Sequence, residues 1–296
     1  MSAPVRAPES SPVSARVATD ARPTSRRAAT LVTPARAATM LLAVIALAAL
    51  IAPLVAPAAS EMMDLAARRA PPSLAHWFGT DELGRDVLAR VLVGARVSLA
   101  IGCLSAVLAV ALGSAIGSVG GFVGGWTDAA LMRVTDAMLA IPRLPFLMIV
   151  AAILQPSIPL LIVLVGTAGW METARVVRAD VLSLVQRGFV EAAHAAGVSR
   201  LRILLGHILP NVLGTITVSA TLAVGRGILL ESALSFFGVG VQPPAASWGN
   251  MLYQAQTTLS SEPWLAIFPG MAIFATVLCV NVLGELLSRT GATERS

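Results

Sequence analysis

Long apolar runs alternate along the chain with polar or small-residue stretches, at a spacing that predicts membrane-crossing helices joined by loops. Residues 37–59 form the first run and reach the ~20 residues needed to cross a bilayer, so they are read as a first transmembrane helix. A second span is expected from about Val97 to Val119, and a third and fourth between Ala137 and Trp170, divided near Gln155-Pro156-Ser157-Ile158-Pro159. A fifth is expected from about Val212 to Phe237 and a sixth from about Trp264 to Leu287. Pro142 and Pro145 mark the start of the third span, because proline fits a first helical turn but not a regular interior. Arg143 between them is expected to snorkel to the cytoplasmic surface. The fold class is therefore an all-α membrane protein with six transmembrane helices.

The polar stretches divide the chain further. Residues 1–36 are rich in Pro, Ser, Ala and Arg, with few large apolar side chains, and are expected to be a disordered tail. Ser25-Arg26-Arg27 resembles a twin-arginine signal and Ala56-Pro57-Ala58 a cleavage site, but the apolar run between them is longer than a signal core, which favours an uncleaved helix. Residues 60–96 balance five acids against five arginines. Thr80 is placed to cap a helix whose first turn holds Asp81 and Glu82, and Leu83, Val87 and Val91 follow at four-residue intervals. An amphipathic helix lying on the membrane surface is expected there, with Trp77 and Phe78 at the interface. In the second span Gly102, Ala106, Ala109, Gly113, Gly117 and Gly120 leave one helix face nearly bare, for close packing within the subunit or against another.

Residues 172–210 form the largest internal polar loop, with Arg175, Arg178, Arg187, Arg200 and Arg202 against Glu172, Asp180 and Glu191. Residues 239–263 carry Glu262 and no arginine, and 289–296 form a short C-terminal tail. With six arginines in the N-terminal tail, the positive-inside rule puts both termini and the 172–210 loop in the cytoplasm, and 60–96 and 239–263 outside.

Composition narrows the chemistry. The 296 residues are 56% hydrophobic and 12% charged, with a mean hydropathy of +0.79, against about a quarter charged in soluble domains. All 21 basic residues are arginine. Without lysine the chain has no phosphate-binding P-loop and no Schiff-base amine, so it encodes neither an ATPase nor a lysine-dependent enzyme. Cys103 and Cys279 lie in apolar runs and read as small buried hydrophobes, with no metal-ligand spacing and no catalytic group. The pI near 10.8 would suggest nucleic acid in a soluble protein, but here arginines flank apolar spans and set orientation.

A six-span chain with a charged loop is compatible with a transporter subunit, an intramembrane protease or a channel. No histidine lies at membrane depth to activate a serine, which disfavours the protease. Arg226 and Glu231 are the ionisable residues expected in a span. They stand about 140° apart around a helix, so each either finds a partner on another helix or lines a pathway.

The 172–210 loop holds the most specific signal. Glu191-Ala192-Ala193 is followed after three residues by Gly197 and after nine more by His207-Ile208-Leu209-Pro210. This closely resembles the EAA loop of the permease subunits of binding-protein-dependent ABC importers, with His207 in the isoleucine position. The His207-to-Asn211 ending is similar to the peptide and nickel branch. Phe78-Gly79-Thr80-Asp81-Glu82-Leu83-Gly84-Arg85-Asp86, Gly94-Ala95-Arg96-Val97-Ser98-Leu99, Gly169-Trp170 with Ala174-Arg175 and Arg178, Leu234-Ser235-Phe236-Phe237-Gly238, Ser247-Trp248-Gly249-Asn250, Phe268-Pro269-Gly270 and Asn281-Val282-Leu283-Gly284 resemble the C-type subunit of dipeptide permeases.

The resemblance implies a type I ABC transmembrane core over 97–288, which performs no bond chemistry and binds no cofactor itself. It implies a B-type permease partner, two ATP-binding subunits that use ATP and Mg, and an extracytoplasmic solute-binding protein, in a bacterial cell membrane. Glu191, Ala192, Ala193, Gly197, His207, Leu209 and Pro210 would contact the ATPase. Locally, a helix through Phe189 to Ala196 is stopped by Gly197, and a second runs from Val198 until Pro210 begins the fifth span. Such an elbow suits rigid-body transmission of an ATPase movement. The solute, whether dipeptide, oligopeptide or nickel, is not readable, and an ATP-independent channel or carrier is the alternative.

Overall fold

A computed structural model describes residues 25–55 and 62–293. Its centre is α2 (Val87–Val123), a 37-residue apolar helix whose N-terminus is capped by Asp86, accepting from the Ala89 amide at 2.9 Å. Around it pack α5 (Ile158–Thr167), α6 (Trp170–Val185) and α9 (Leu209–Phe236). The helix α11 (Trp264–Thr293) lies on α9, and α1 (Ser25–Val55) on α11 and α2. The small-residue stripe of α2 is used within the chain. A Cβ on Gly113 would stand 2.5 Å from the Trp170 carbonyl oxygen, one on Gly117 2.4 Å from that of Ala174, and one on Gly102 2.5 Å from Ile228. Only a bare backbone lets α6 and α9 approach this closely.

Among the described residues, four helical stretches are long and apolar enough to cross a membrane: Val87–Val123, Ile158–Val185, Arg200–Phe236 and Trp264–Arg289. A fifth arises if α3 (Gly125–Ala140) and α4 (Arg143–Leu154), bent by 82° at Ile141-Pro142, count as one broken span. Within α1, Arg36–Ala52 is apolar but shorter. Residues 1–24, with most of the expected tail, 56–61, with the end of the first expected helix and the cleavage-like site, and 294–296 lie outside the described residues.

Several boundaries differ from those the sequence suggested. The helix α1 begins at Ser25, inside the stretch read as a tail, because alanine and arginine support a helix whether or not it has an apolar face. The expected surface helix within 60–96 is replaced by an irregular segment, and Asp86 rather than Thr80 caps the helix that follows. Thr80 is buried, accepting from the Ala70 amide at 2.8 Å and donating to the Ala67 carbonyl. Asp81 draws Arg85 Nε to 2.7 Å and Arg90 Nη1 to 2.8 Å. Gly79 and Gly84, at φ +76° and +75°, turn the chain where an L-residue would be strained. An acid that takes two buried guanidiniums and two backbone amides stabilises this folded loop over a helix. Trp77 is exposed, whereas Phe78 stacks on Phe268 with ring centroids 3.8 Å apart.

The first half of the 172–210 polar loop is also not a loop. It is α6, which continues α5 across Ala168-Gly169 and buries Met171, Ala174, Val177, Val181 and Leu184. Its charges are met by neighbours: Arg178 grips Asp128 of α3 through Nε and Nη2, both at 2.5 Å, and Arg175 reaches Asp136. Finally, residues 239–263 fold over one end of the bundle. Ser247 caps α10 (Trp248–Ala255), and buried Trp248 donates from Nε1 to the Val91 carbonyl of α2 at 3.0 Å.

Candidate functional site

Two places gather the residues that the sequence singled out. The first is the elbow between α6 and α9. Here α7 (Gly188–Ala195) carries Glu191 in its first turn, where a carboxylate is favoured by the helix dipole. It ends on a Schellman cap: the Gly197 amide donates to the His194 carbonyl at 3.0 Å and the Val198 amide to that of Ala193 at 3.1 Å. Gly197 is at φ +76°, and nothing lies within 4 Å of where its Cβ would be, so the position requires glycine for backbone conformation and not for space. Ala193 and Val198, the two ends of the cap, both pack against the buried apolar cluster of the elbow.

The second arm of the elbow is continuous with the span after it. The short α8 (Arg200–Ile203) passes through a π-helical turn at Leu204–Ile208 into α9, and Pro210 does not begin a new helix. Proline has no amide to donate to the carbonyl four residues earlier and its ring clashes with it, and the wider turn accommodates both. The Leu209 amide accordingly reaches back to the Leu204 carbonyl, and Asn211 Nδ2 donates to the His207 carbonyl at 2.6 Å.

The inner face of the elbow is held by an apolar cluster that joins Val190 to Ile203, Ile208 and Val212, and to Val177, Val181 and Leu184 of α6. Its outer face exposes Glu191, Ala192, His207 and Pro210, while Ala193 and Leu209 are half-buried. Exposed Phe189, Leu201 and Leu205 stand beside them, with Arg200 and Arg202 also exposed. The sequence reading of the motif missed these three apolar side chains. Their signal was their placement on an arginine-rich segment that has nothing to bury them.

The second place is polar and lies half-buried where α4, α6 and α9 meet. Arg226 of α9 pairs with Glu172 of α6 through Nη1 and Oε2, and Arg143 of α4 donates from Nη2 to Glu172 Oε1 at 2.8 Å. Arg143 therefore turns inward instead of snorkelling, and Glu172 stands near the middle of the Ile158–Val185 helix. Arg226 and Glu172 line a cavity of about 910 Å³ that extends along α9 past Ser219 and Thr215 to Pro210, and Arg143 lines another of about 310 Å³ against Phe146 and Trp170.

Glu231 is separate from this cluster. It is fully buried and accepts hydrogen bonds from Ser235 at 2.8 Å and from Ser98 of α2 at 3.1 Å. Those serines are in turn acceptors, Ser98 from the Trp248 amide at 3.1 Å and Ser235 from the Val241 amide at 3.0 Å. Glu231 thus ties α2, α9 and the 239–250 segment together, and no arginine pairs with it among the described residues. Of the two ionisable residues expected in the fifth span, Arg226 faces a cavity and Glu231 holds helices together.

Residues 91–290 match the family described as binding-protein-dependent transport system inner membrane component. A protein of Brucella suis biovar 1 (strain 1330), named "Putative peptide permease protein", is 40% identical over 248 residues, covering 83% of this chain and 82% of the relative. The glutathione transport system permease protein GsiD of Shigella flexneri serotype 5b (strain 8401) is 46% identical over 214 residues, 72% of this chain and 71% of the relative. GsiD of Escherichia coli O6:K15:H31 is 43% identical over the same length.

Proposed function

We infer that this chain, which belongs to the family of binding-protein-dependent transport system inner membrane components, is the permease subunit of an ABC importer for peptides. One observation carries the mechanism: an outward-facing elbow, closed by a positive-φ glycine and fixed to α6 and α9 by a buried apolar cluster. An element held from inside by packing, with exposed apolar side chains set among charged ones, suits docking to another protein. The spacing of Glu191, Ala192, Ala193, Gly197, His207, Leu209 and Pro210 within it is that of the family's EAA loop. We assign the docking partner as the ATP-binding subunit, with Phe189, Leu201 and Leu205 as apolar contacts and Glu191 as the charged one.

The finer architecture belongs to the same proposal. Six crossings result if Arg36–Ala52 of α1 spans together with its flanks and the bent α3–α4 pair is one broken span. Both termini and the elbow are then cytoplasmic, and 239–263 and 62–86 are extracytoplasmic. A B-type permease completes the path, two ATPases drive it with ATP and Mg, and a binding protein delivers the solute. The relatives named for peptides and for glutathione, itself a peptide, support a peptide over nickel. The family makes an ATP-independent channel or carrier the weaker reading.

The test is Glu191→Lys and Gly197→Asp in the assembled complex. Membrane insertion is expected to be normal, with ATP hydrolysis continuing while peptide uptake falls. Unchanged uptake in either variant refutes the assigned role.

A further inference from the structure

The Arg143–Glu172–Arg226 cluster does more than join three helices. Two guanidiniums meet one carboxylate, and Glu172 is the one acid paired with either arginine among the described residues. One positive charge is therefore left over on helices apolar enough to cross a membrane, half-exposed to the cavity beside them, where an uncompensated charge is costly and marks a pathway more often than a support. If the cluster only held helices, Glu172 and one arginine would suffice.

The leftover charge is directed. Among the residues lining the larger cavity, Glu172 and Arg226 alone are charged, and the remainder are small, hydroxyl-bearing, amide or apolar side chains. Arg226 engages Glu172 through Nη1, while its side chain stays 37% exposed, so other donors of its five-donor planar fork face open space. A fork of this kind takes a carboxylate by two parallel hydrogen bonds. Arg143 pairs with Glu172 from the side of the second cavity, so Glu172 remains neutralised when Arg226 turns to an incoming anion.

Building on the permease reading, we propose that Arg226 is an anion-gripping subsite on the solute's path, where it takes the carboxylate of a passing peptide in exchange for Glu172, with Arg143 holding Glu172 in place. This exchange turns the leftover charge into a paired one, because the incoming carboxylate neutralises Arg226 while Glu172 keeps Arg143 as its partner. It lets the solute enter an apolar bundle without leaving either partner bare.

The test uses thiol reagents of opposite charge and does not depend on transport. Leu222→Cys places a thiol on the same cavity one helical turn before Arg226, in a full chain with Cys103→Ala and Cys279→Ala, assembled with its partner subunits in nanodiscs. Modification rates are measured with the anionic sulfonatoethyl and the cationic trimethylammonioethyl methanethiosulfonates. Any effect of Arg226 on thiol ionisation cancels in their ratio.

The anion-to-cation ratio is expected to fall about tenfold on Arg226→Gln, to be kept in Arg226→Lys and to rise in Glu172→Gln. An unchanged ratio in Arg226→Gln overturns the proposal, as does an unchanged or lower ratio in Glu172→Gln. Should Arg226→Gln lower the melting temperature of the complex, the Glu172→Gln arm decides alone. Failure of the permease reading would appear separately, as unimpaired uptake in the Glu191 and Gly197 variants.

Discussion

Gly197→Ala isolates backbone conformation from sterics. The added methyl would meet nothing within 4 Å, and the residue is at φ +76°, where an L-residue costs about 1–2 kcal/mol. That cost is relieved only by giving up the cap, in which the amides of Gly197 and Val198 reach His194 and Ala193 at 3.0 and 3.1 Å. At about 1.4 kcal/mol the balance between formed and frayed cap moves about tenfold toward frayed. Amide hydrogen exchange at Val198 in the assembled complex should therefore accelerate about tenfold, while amides of α2 keep their protection. Asparagine tolerates the left-handed region better than alanine, so Gly197→Asn should lie between wild type and Gly197→Ala. Peptide uptake per ATP hydrolysed should follow the same order. If alanine matches glycine in exchange and in coupling, or asparagine is worse than alanine, the conformational account of this position is wrong.

Five other substitutions, at four positions, test packing and polar contacts elsewhere in the bundle. Gly113→Ala would put a methyl 2.5 Å from the Trp170 carbonyl oxygen and 2.6 Å from Thr173 Cβ, and should lower the melting temperature at a cost of about 1–3 kcal/mol. Gly214→Ala, in a helix with nothing within 4 Å, should be neutral or raise it. Asp81→Asn removes the countercharge from Arg85 and Arg90, the latter 2% exposed, and should destabilise by about 3–5 kcal/mol, read as loss of folded protein in detergent. Glu231→Gln keeps an acceptor for Ser98 and Ser235 and should be tolerated. Glu231→Leu strands both hydroxyls and should cost about 1–3 kcal/mol per unpaired group, seen as a lower melting temperature than in the glutamine variant.

The sequence carried the apolar runs and the elbow more clearly than the polar contacts, for a physical reason. A run such as Val97–Val119 must be kept from water by protein or lipid whatever its neighbours are, and Gly197 announces a left-handed cap through its own lack of a Cβ. Charges behave differently, because their cost depends on partners far away in the chain. Glu172 and the arginines after it looked like a solvated loop, since no local feature shows that Asp128 and Asp136 of α3 stand opposite Arg178 and Arg175. The apolar spacing of Met171, Ala174, Val177, Val181 and Leu184 was the available sign of a buried helix. In the same way, Thr80 has every local mark of a cap, and only the distant carbonyl of Ala67 and the guanidinium of Arg90 explain why the chain folds back there.

The elbow and the charge cluster share their supports. The helix α6 carries Glu172 toward one end and Val177, Val181 and Leu184 toward the other, and those three are in the apolar cluster with Val190 of α7. The helix α9 carries Val212 of that cluster and Arg226 further along the same rod. At 1.5 Å per residue, Arg226 is about 20 Å from Val212, a distance over which a packed helix transmits displacement without bending. A load on α7 therefore reaches both partners of the Arg226–Glu172 pair, and it alters their separation only if α6 and α9 move unequally. The apolar cluster ties the two helices at the elbow end, while Thr215 donates to Asp180 at 2.6 Å to reinforce that end. At Glu172 and Arg226 an ion pair links the same two helices, so relative motion hinged at the elbow would open the pair. Thr215→Val should loosen the hinge and weaken the dependence of uptake on ATP hydrolysis, while leaving the anion-to-cation ratio at Leu222→Cys unchanged. A change in that ratio would show that the hinge and the cluster are not separable in this way.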